Sequence, residues 1–184
     1  MRIKAYAITL TVCALLAALA LPAQAARTVQ AEAEVRGLAQ QIFQQLKAGD
    51  YDSLYDTLPT AQQRRISRER FKRALARSRD AYELDRLEVG TVRTSGDLAV
   101  VDTVMYGRVL RPIQSEGKIV AQQYLVREEG SWRVATGDRA TVQKFLAANP
   151  TFARKFPIRS PRIYVRREGR WVDVSSLSMP RRRT

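Results

Sequence analysis

The feature of this 184-residue chain that most restricts its fold is a run of strand-forming segments separated by short turns. Residues 98–110 and 118–127 are rich in β-branched and aromatic residues, and residues 132–136 supply a short partner. Gly or Pro punctuates the connections, and residues 129–130 leave room only for a tight turn. Segments joined this closely pair antiparallel, so we expect a four-stranded meander that begins with residues 82–92.

Residues 98–110 alternate in polarity, as a strand with two different faces does. Val101 and Thr103 project to one face, which is apolar enough to be wholly buried. Asp102 and Tyr106 project to the opposite face, where apolar and polar residues mix. The alternation therefore predicts a sheet with one covered face and one mixed face.

Helices precede these strands. Apolar side chains recur at helical spacing between Glu32 and Ala48, and Gly49 is expected to end that amphipathic helix. Asp50 can cap a short helical turn, and Ser67 can cap a further helix. Helices followed by an antiparallel sheet predict an α+β fold in which the helices lie on the sheet.

The N-terminal residues predict export. Two basic residues precede an apolar run at residues 5–21, and residues 22–25 give the small-x-small pattern that signal peptidase cuts, here after Ala25. Retention of the run as a membrane anchor is the alternative, because its length approaches the roughly 20 residues that span a bilayer. We expect a periplasmic or secreted protein.

The chain has no histidine, and its single cysteine, Cys13, lies in the predicted signal segment. The mature protein therefore lacks the side chains of the usual zinc sites and of Ser-His-Asp and Cys-His nucleophiles. The phosphate-loop, dinucleotide, G-x-S-x-G and calcium-loop motifs are also missing from the sequence. We expect no metal site and no cofactor.

Two segments share an arginine-flanked hairpin pattern, YLVREEGSWRV at residues 124–134 and IYVRREGRWVDV at residues 163–174. Each places a glycine in the turn and a tryptophan two residues later, Trp132 and Trp171. Convergence on a stable hairpin is the favoured explanation, because two strands are far short of a repeat unit. An isolated hairpin is marginally stable in water, so the second must dock on the sheet edge or across a pocket mouth.

Four stretches of the chain resemble the nuclear transport factor 2-like superfamily, also described as SnoaL-like or ketosteroid-isomerase-like. They are LAQQIFQQLKAGDYDSLYDTLP, SRERFKRAL, GDLAVVDTVMYG and QQYLVREEGSWRVA, and together they cover about residues 30–138. The joint KAGDYDSLY and the closing hairpin REEGSWRV are the clearest markers. The resemblance implies a cone-shaped, cystatin-like roll, in which a strongly curved antiparallel sheet wraps the N-terminal helices and leaves a pocket.

This interpretation divides the chain into a signal peptide at 1–25, a nuclear transport factor 2-like domain at 26–139 and a basic extension at 140–184. The extension is expected to hold a helix and an extra β-hairpin, and residues 146–184 contain 10 Lys and Arg residues against 2 acidic residues. Basic and aromatic side chains together can bind anionic lipid or polysaccharide. The candidates for this anionic-surface site are Arg162, Arg166, Arg167, Arg170 and Trp171. We expect no nucleic acid partner, since no nucleic-acid fold is recognised.

Members of the superfamily include both enzymes and binding modules, so the fold does not decide the activity. The favoured hypothesis is an exported, non-catalytic module that holds a small apolar or amphipathic ligand, or an envelope protein, in the cone. Its candidate ligand-binding residues are Tyr55, Asp102, Tyr106 and Tyr124. The alternatives are a small acid–base enzyme of isomerase or dehydratase type built on Asp102 with tyrosines, and an envelope adaptor acting through the basic tail. Because members often pair through the outside of the sheet, a homodimer is also open.

Overall fold

The computed structural model describes residues 4–77, 79–111, 114–135 and 139–175. The side chains of residues 4–25 and 139 lie outside that description, so the predicted cleavage site at Ala25 is not addressed by it. The basic residues at 181–183 also lie outside the described part of the chain. Within the described ranges, no helix is both long enough and apolar enough to cross a membrane.

Helices form the first part of the chain and recur near its end. They are α1 (Lys4–Ala48), α2 (Tyr51–Asp56), α3 (Thr60–Gln63), α4 (Arg68–Ala76), α5 (Arg139–Ala148) and α6 (Pro150–Lys155). The strands are β1 (Tyr82–Ser95), β2 (Leu98–Val109), β3 (Ser115–Glu128), β4 (Ser131–Val134), β5 (Arg162–Arg167) and β6 (Arg170–Asp173). A 3-10 turn, Arg79–Ala81, leads from α4 into β1.

Local sequence sets the helix boundaries. Gly49 adopts a φ of 76°, which lets the chain leave α1, and the Asp50 side chain then accepts a hydrogen bond from the Ser53 N–H at 3.1 Å. Ser67 caps α4 by accepting from the Arg70 N–H at 3.4 Å. These three predictions are confirmed. The predicted start of this helix, at Glu32, was wrong. The residues before Glu32 are rich in Ala and Leu, which favour helix, and α1 continues back through them to Lys4.

The six strands form one open antiparallel sheet in the order β1-β2-β3-β5-β6, with β4 also paired to β3. Strand β2 occupies one edge of β3 along residues 115–126. On the other edge, β4 pairs with residues 125–128 and β5 pairs with residues 117–120. The predicted α+β class is confirmed, and the second hairpin segment extends the sheet at its edge.

The two matching hairpin segments turn in the same way. Glu129 and Gly130 have φ values of 50° and 79°, and Glu168 and Gly169 have φ values of 50° and 77°. Left-handed backbone at both positions is the geometry of a two-residue hairpin turn that suits the twist of its strands. The repeated sequence therefore encodes a repeated turn.

Each face of the sheet has its own helical cover. On the α1 face, Val35 and Ala39 of α1 pack against buried residues of the sheet, Val92, Ala99, Val101, Leu125 and Trp132. On the opposite face, here called the α5 face, α5 and α6 bury Val100 and Tyr124 with Val142, Leu146 and Phe152. The prediction of one covered face was therefore incomplete, because α5 and α6 cover part of the second face.

Candidate functional site

Three of the four predicted ligand-binding residues share the α5 face. In the strand register, Val100 lies opposite Tyr124, Asp102 lies opposite Gln122, and Tyr106 lies opposite Lys118. Paired residues of an antiparallel sheet project to the same face, so Asp102, Tyr106 and Tyr124 are on the side of α5 and α6. They are spread along the sheet and occupy different surroundings.

Asp102 is engaged by a neighbouring strand. Its carboxylate accepts a hydrogen bond of 2.9 Å from the Arg93 guanidinium, and the two side chains are 30% and 26% exposed. Opposite it, the Gln122 side-chain oxygen accepts from the Tyr124 hydroxyl at 3.1 Å and from the Arg159 N–H at 3.0 Å. Asp102 is thus held in an ion pair between β1 and β2.

Tyr124 is a core residue. It is buried among Phe145 and Phe152, whose ring centroids lie 6.0 and 6.4 Å from its own. This burial raises the pKa of the Tyr124 phenol above its ordinary value, because a phenolate there would lose its hydration. The ring stabilises the packing of α5 and α6 on the sheet.

Tyr106 lies at the far end of the α5 face, away from Tyr124. Its hydroxyl donates to Glu88 at 3.0 Å, and the Arg86 guanidinium lies 3.6 Å from its ring centroid. The ring also meets Trp171 of β6 edge-on, at 6.4 Å between centroids. Hydrogen bonds from Arg86 and then Tyr106 hold the pKa of Glu88 below its ordinary value.

Tyr55 lies on the other side of the sheet. It is buried with Ile42 of α1 and with Val134 of β4, in a cluster on the α1 face. Its hydroxyl lies 3.0 and 2.9 Å from the carbonyl oxygens of Gln63 and Ile66, so it ties α2 to the segment that follows. The structure therefore does not bring Tyr55 together with the other three candidates.

The predicted anionic-surface residues are also divided between the faces. Arg166 lies opposite Trp171 on the α5 face, and its guanidinium pairs with Glu116 at 2.7 Å. Arg167 lies opposite Arg170, one residue further along each strand, and so projects to the α1 face. Arg162 lies opposite Val120 on the α5 face. These side chains do not form one continuous basic surface.

An apolar groove on the α1 face is the feature that the residue-by-residue predictions missed. It lies where α1 ends and has a volume of about 320 Å³. Its apolar lining comes from one helix and four strands, and consists of Leu46, Tyr82, Leu84, Met105, Val109, Ile119 and Ile163. In the sequence, strand alternation places Met105 and Val109 on the same face of β2. The register adds Ile119 of β3 and Ile163 of β5 to that face.

The groove exists because α1 covers only the part of the α1 face that lies next to β1. Arg36 of α1 donates to the Val89 carbonyl at 3.1 Å, and Lys47 donates to the Asp85 carbonyl at 2.8 Å, so the helix follows β1. The ends of β2, β3 and β5 extend beyond that cover. There Gly107 and Gly117 face each other across β2 and β3, and both line the groove. A Cβ at Gly107 would lie 2.3 Å from the Glu83 carbonyl oxygen, so the strands approach closely at this point.

The charged groups at the groove differ in how they are paired. Glu83 and Arg108 also line the groove, but their side chains project to the α5 face, where they bind each other at 2.7 Å. The Lys118 ammonium lies 4.6 Å from the Trp171 ring centroid, on the α5 face. Arg111 also lines the groove, and within the described ranges it forms no ion pair. Among those same residues, no cluster of three acidic side chains could hold a metal ion.

The fold thus defines the class as an α+β protein with an open, six-stranded antiparallel sheet. No protein-family model matches the sequence, and no curated protein matches it. Among solved structures, the chain is similar to a SEC-C motif containing protein from Rhodopseudomonas palustris, solved in solution. The two are 11% identical with a TM-score of 0.42, over 52% of this chain and 70% of the other. A likeness of this size carries no functional argument.

Proposed function

We propose that this protein is a non-catalytic binding module of the nuclear transport factor 2-like type, which holds a small amphipathic molecule in the α1-face groove. The observation that supports the proposal is the apolar groove itself, formed where α1 stops short of the sheet's end. Small-molecule sites are typically concave, mostly apolar and about 300–1,000 Å³ in volume. The groove fits the lower end of that range.

The chemistry of the lining selects the ligand class. Side chains such as Leu84, Met105 and Ile119 gain from the removal of an alkyl chain from water. Arg111 then offers a cation that no described carboxylate neutralises. A short alkyl chain with a carboxylate or similar anionic head would satisfy both features, because guanidinium groups bind planar oxyanions well.

The acid–base alternative receives less support from the geometry. Asp102 lies on the α5 face, the sheet's other side from the groove, and Arg93 already binds its carboxylate. A general base needs to reach a bound substrate directly or through one water. A ligand in the α1-face groove would be separated from Asp102 by the sheet.

Export is part of the same proposal. The apolar segment at residues 5–21 and the A-Q-A pattern before Ala26 would deliver the domain to the cell envelope. Membranes contain and release amphipathic acyl molecules, so a protein of the cell envelope would meet ligands of this class. Fractionation of cells that express the full chain, with mass measurement of its N-terminus, tests this part separately from ligand binding.

Displacement of a fluorescent probe tests the groove. The probe 1-anilinonaphthalene-8-sulfonate combines an apolar ring system with an anionic head, and decanoate should compete with it. Ile119→Glu places a carboxylate in the groove lining and should abolish probe binding. Val120→Glu is the matched control, because Val120 is the next residue of β3, lies on the other face and is 36% exposed.

A second comparison tests the head group. Arg111→Ala should weaken decanoate binding while leaving the binding of uncharged decanol unchanged. Probe and decanoate binding that persists in a folded Ile119→Glu variant would overturn the groove. Equal loss of decanoate binding in the Ile119→Glu and Val120→Glu variants would also contradict it.

A further inference from the structure

The two equivalent tryptophans of the repeated hairpin segments have opposite surroundings. Trp132 is 8% exposed, and its indole N–H donates to Glu34 of α1 at 3.1 Å. Trp171 occupies the matching position after the same turn, yet it is 37% exposed. The hairpin does not require an exposed indole, so the surface of Trp171 is available for a contact outside the chain.

A cleft on the α5 face adjoins Trp171 and has a volume of about 620 Å³. Tyr106 forms part of its wall, and the Trp171 ring meets the Tyr106 ring at an interplanar angle of 66°. The rest of the wall is polar and comes from four strands. Its charged members are Glu83, Asp85, Arg86, Arg108, Glu116 and Arg166.

These charges neutralise one another. The cleft has three arginines and three carboxylates, and Arg108–Glu83 and Arg166–Glu116 form ion pairs of 2.7 Å each. Arg86 pairs with Glu88 beside the cleft. An anionic ligand would need to break these pairs to reach a guanidinium. The cleft therefore does not suit phosphates, sulfates or nucleic acid.

A cationic ligand is also disfavoured. The Arg86 guanidinium already covers the Tyr106 ring at 3.6 Å, and the Lys118 ammonium lies 4.6 Å from the Trp171 centroid. A further cation over either ring would meet like charge. What remains is an aromatic surface beside fixed donors and acceptors.

We propose that the cleft beside Trp171 is a binding site for an uncharged carbohydrate. The C–H face of a sugar ring stacks on the exposed indole, and its hydroxyl groups exchange hydrogen bonds with the paired carboxylates and guanidinium groups. Asp85 also lines the cleft, and in the described part of the chain its carboxylate forms no ion pair. It can accept from two hydroxyl groups at once.

This site opens on the opposite face of the sheet from the groove of the proposed function. The cleft opens on the α5 face and the groove opens on the α1 face of the same strand ends. Their linings share five residues, Glu83, Tyr106, Gly107, Arg108 and Gly117. The residues changed in the tests are not shared, because Trp171 and Asp85 line only the cleft, and Ile119 and Arg111 line only the groove. The two sites can therefore be tested independently. A failure of fatty-acid binding would leave the carbohydrate site intact, and the reverse also holds.

Calorimetric titration with three uncharged tetrasaccharides, cellotetraose, maltotetraose and tetra-N-acetylchitotetraose, tests the site. At least one should bind with a Kd of about 1 mM or tighter. Trp171→Ala should weaken that binding about ten-fold or more, and Trp171→Phe should retain most of it. Asp85→Asn should also weaken it, and it removes no described ion pair. Val172→Ala changes the neighbouring residue on the α1 face and should have no effect.

Intrinsic fluorescence provides a second measurement, because the chain has two tryptophans and Trp132 is buried. Sugar binding should shift the emission of wild-type protein and not that of Trp171→Phe. The proposal would be overturned if none of the three tetrasaccharides bound with a Kd of about 1 mM or tighter. Unchanged affinity in a folded Trp171→Ala variant would do the same, as would salt-sensitive binding of heparin alone.

Discussion

The Glu34 carboxylate in α1 accepts a hydrogen bond of 3.1 Å from the indole N–H of Trp132 in β4. The same carboxylate binds the Arg127 guanidinium of β3, which lies 4.7 Å from the Trp132 ring centroid. One acidic side chain of the helix therefore satisfies two donors of the closing hairpin. This contact joins the two parts of the chain that bury the α1 face.

We expect Glu34→Ala to lower the free energy of unfolding by about 1–3 kcal/mol, because a buried indole N–H then lacks its acceptor. Urea denaturation measures the change. Gln40→Ala, at an exposed position of the same helix, should stay within about 0.5 kcal/mol of wild type. Equal stability of the Glu34→Ala variant and wild type would show that water replaces the carboxylate.

The Arg93–Asp102 pair should stabilise the fold without serving ligand binding. A double-mutant cycle with Arg93→Met and Asp102→Asn should give a coupling free energy of about 1 kcal/mol, since both side chains are partly buried. Asp102→Asn should leave decanoate affinity unchanged. A large loss of decanoate affinity in a folded Asp102→Asn variant would contradict the position of the groove.

Replacement of two glycines by alanine should change the free energy of unfolding in opposite directions. In α1, a Cβ at Gly37 meets nothing within 4 Å, so Gly37→Ala should raise the free energy of unfolding by about 0.5–1 kcal/mol. A Cβ at Gly107 would lie 2.3 Å from the Glu83 carbonyl oxygen, so Gly107→Ala should lower it by about 1–3 kcal/mol. Thermal melts of the two variants against wild type check both signs.

Acid should weaken the contact between α2 and α4. Arg68 binds Asp56 at 2.6 Å, and this hydrogen bond holds the pKa of the Asp56 carboxyl below its ordinary value. The folded state therefore binds the proton less readily than the unfolded chain, whose aspartates titrate near 3.9. The stabilisation is present above that pH and is lost as the pH falls through the folded pKa.

The melting temperature of Asp56→Asn should consequently fall less than that of wild type between pH 5 and pH 2.5. Asp97→Asn is the control, since Asp97 is exposed and, in the described ranges, forms no ion pair. A parallel fall in Asp56→Asn and wild type would count against the effect. The difference should also shrink in high salt, because the pair is exposed.

Local pattern predicted the elements that depend on neighbours in sequence. The stripe from Val35 onward, the turn at Gly49 and the strands at residues 98–110 and 118–127 all correspond to α1, β2 and β3. Alternation also assigned Val101 and Thr103 correctly to a buried face. Each of these features depends on the side-chain periodicity of one helix, turn or strand, which the local sequence contains.

The candidate site depended on tertiary relations that the pattern does not contain. Tyr55 has the same residue type as Tyr106 and Tyr124, but α2 places it on the other side of the sheet. Val100 is buried because α5 and α6 fold back over it. The groove exists only because α1 follows β1 and ends at Ala48, and no periodicity records where a helix lies across a sheet.

Strand β3 receives both hairpin segments along a single border, β4 towards its C-terminal end and β5 towards its N-terminal end. The later segment needs that border to exist before it can attach, whereas the earlier one is made from neighbours in sequence. The β3–β4 hairpin can therefore form first, and β5 then pairs with the border that β3 already presents. Strands β5 and β6 thus extend a sheet whose earlier strands pair without them.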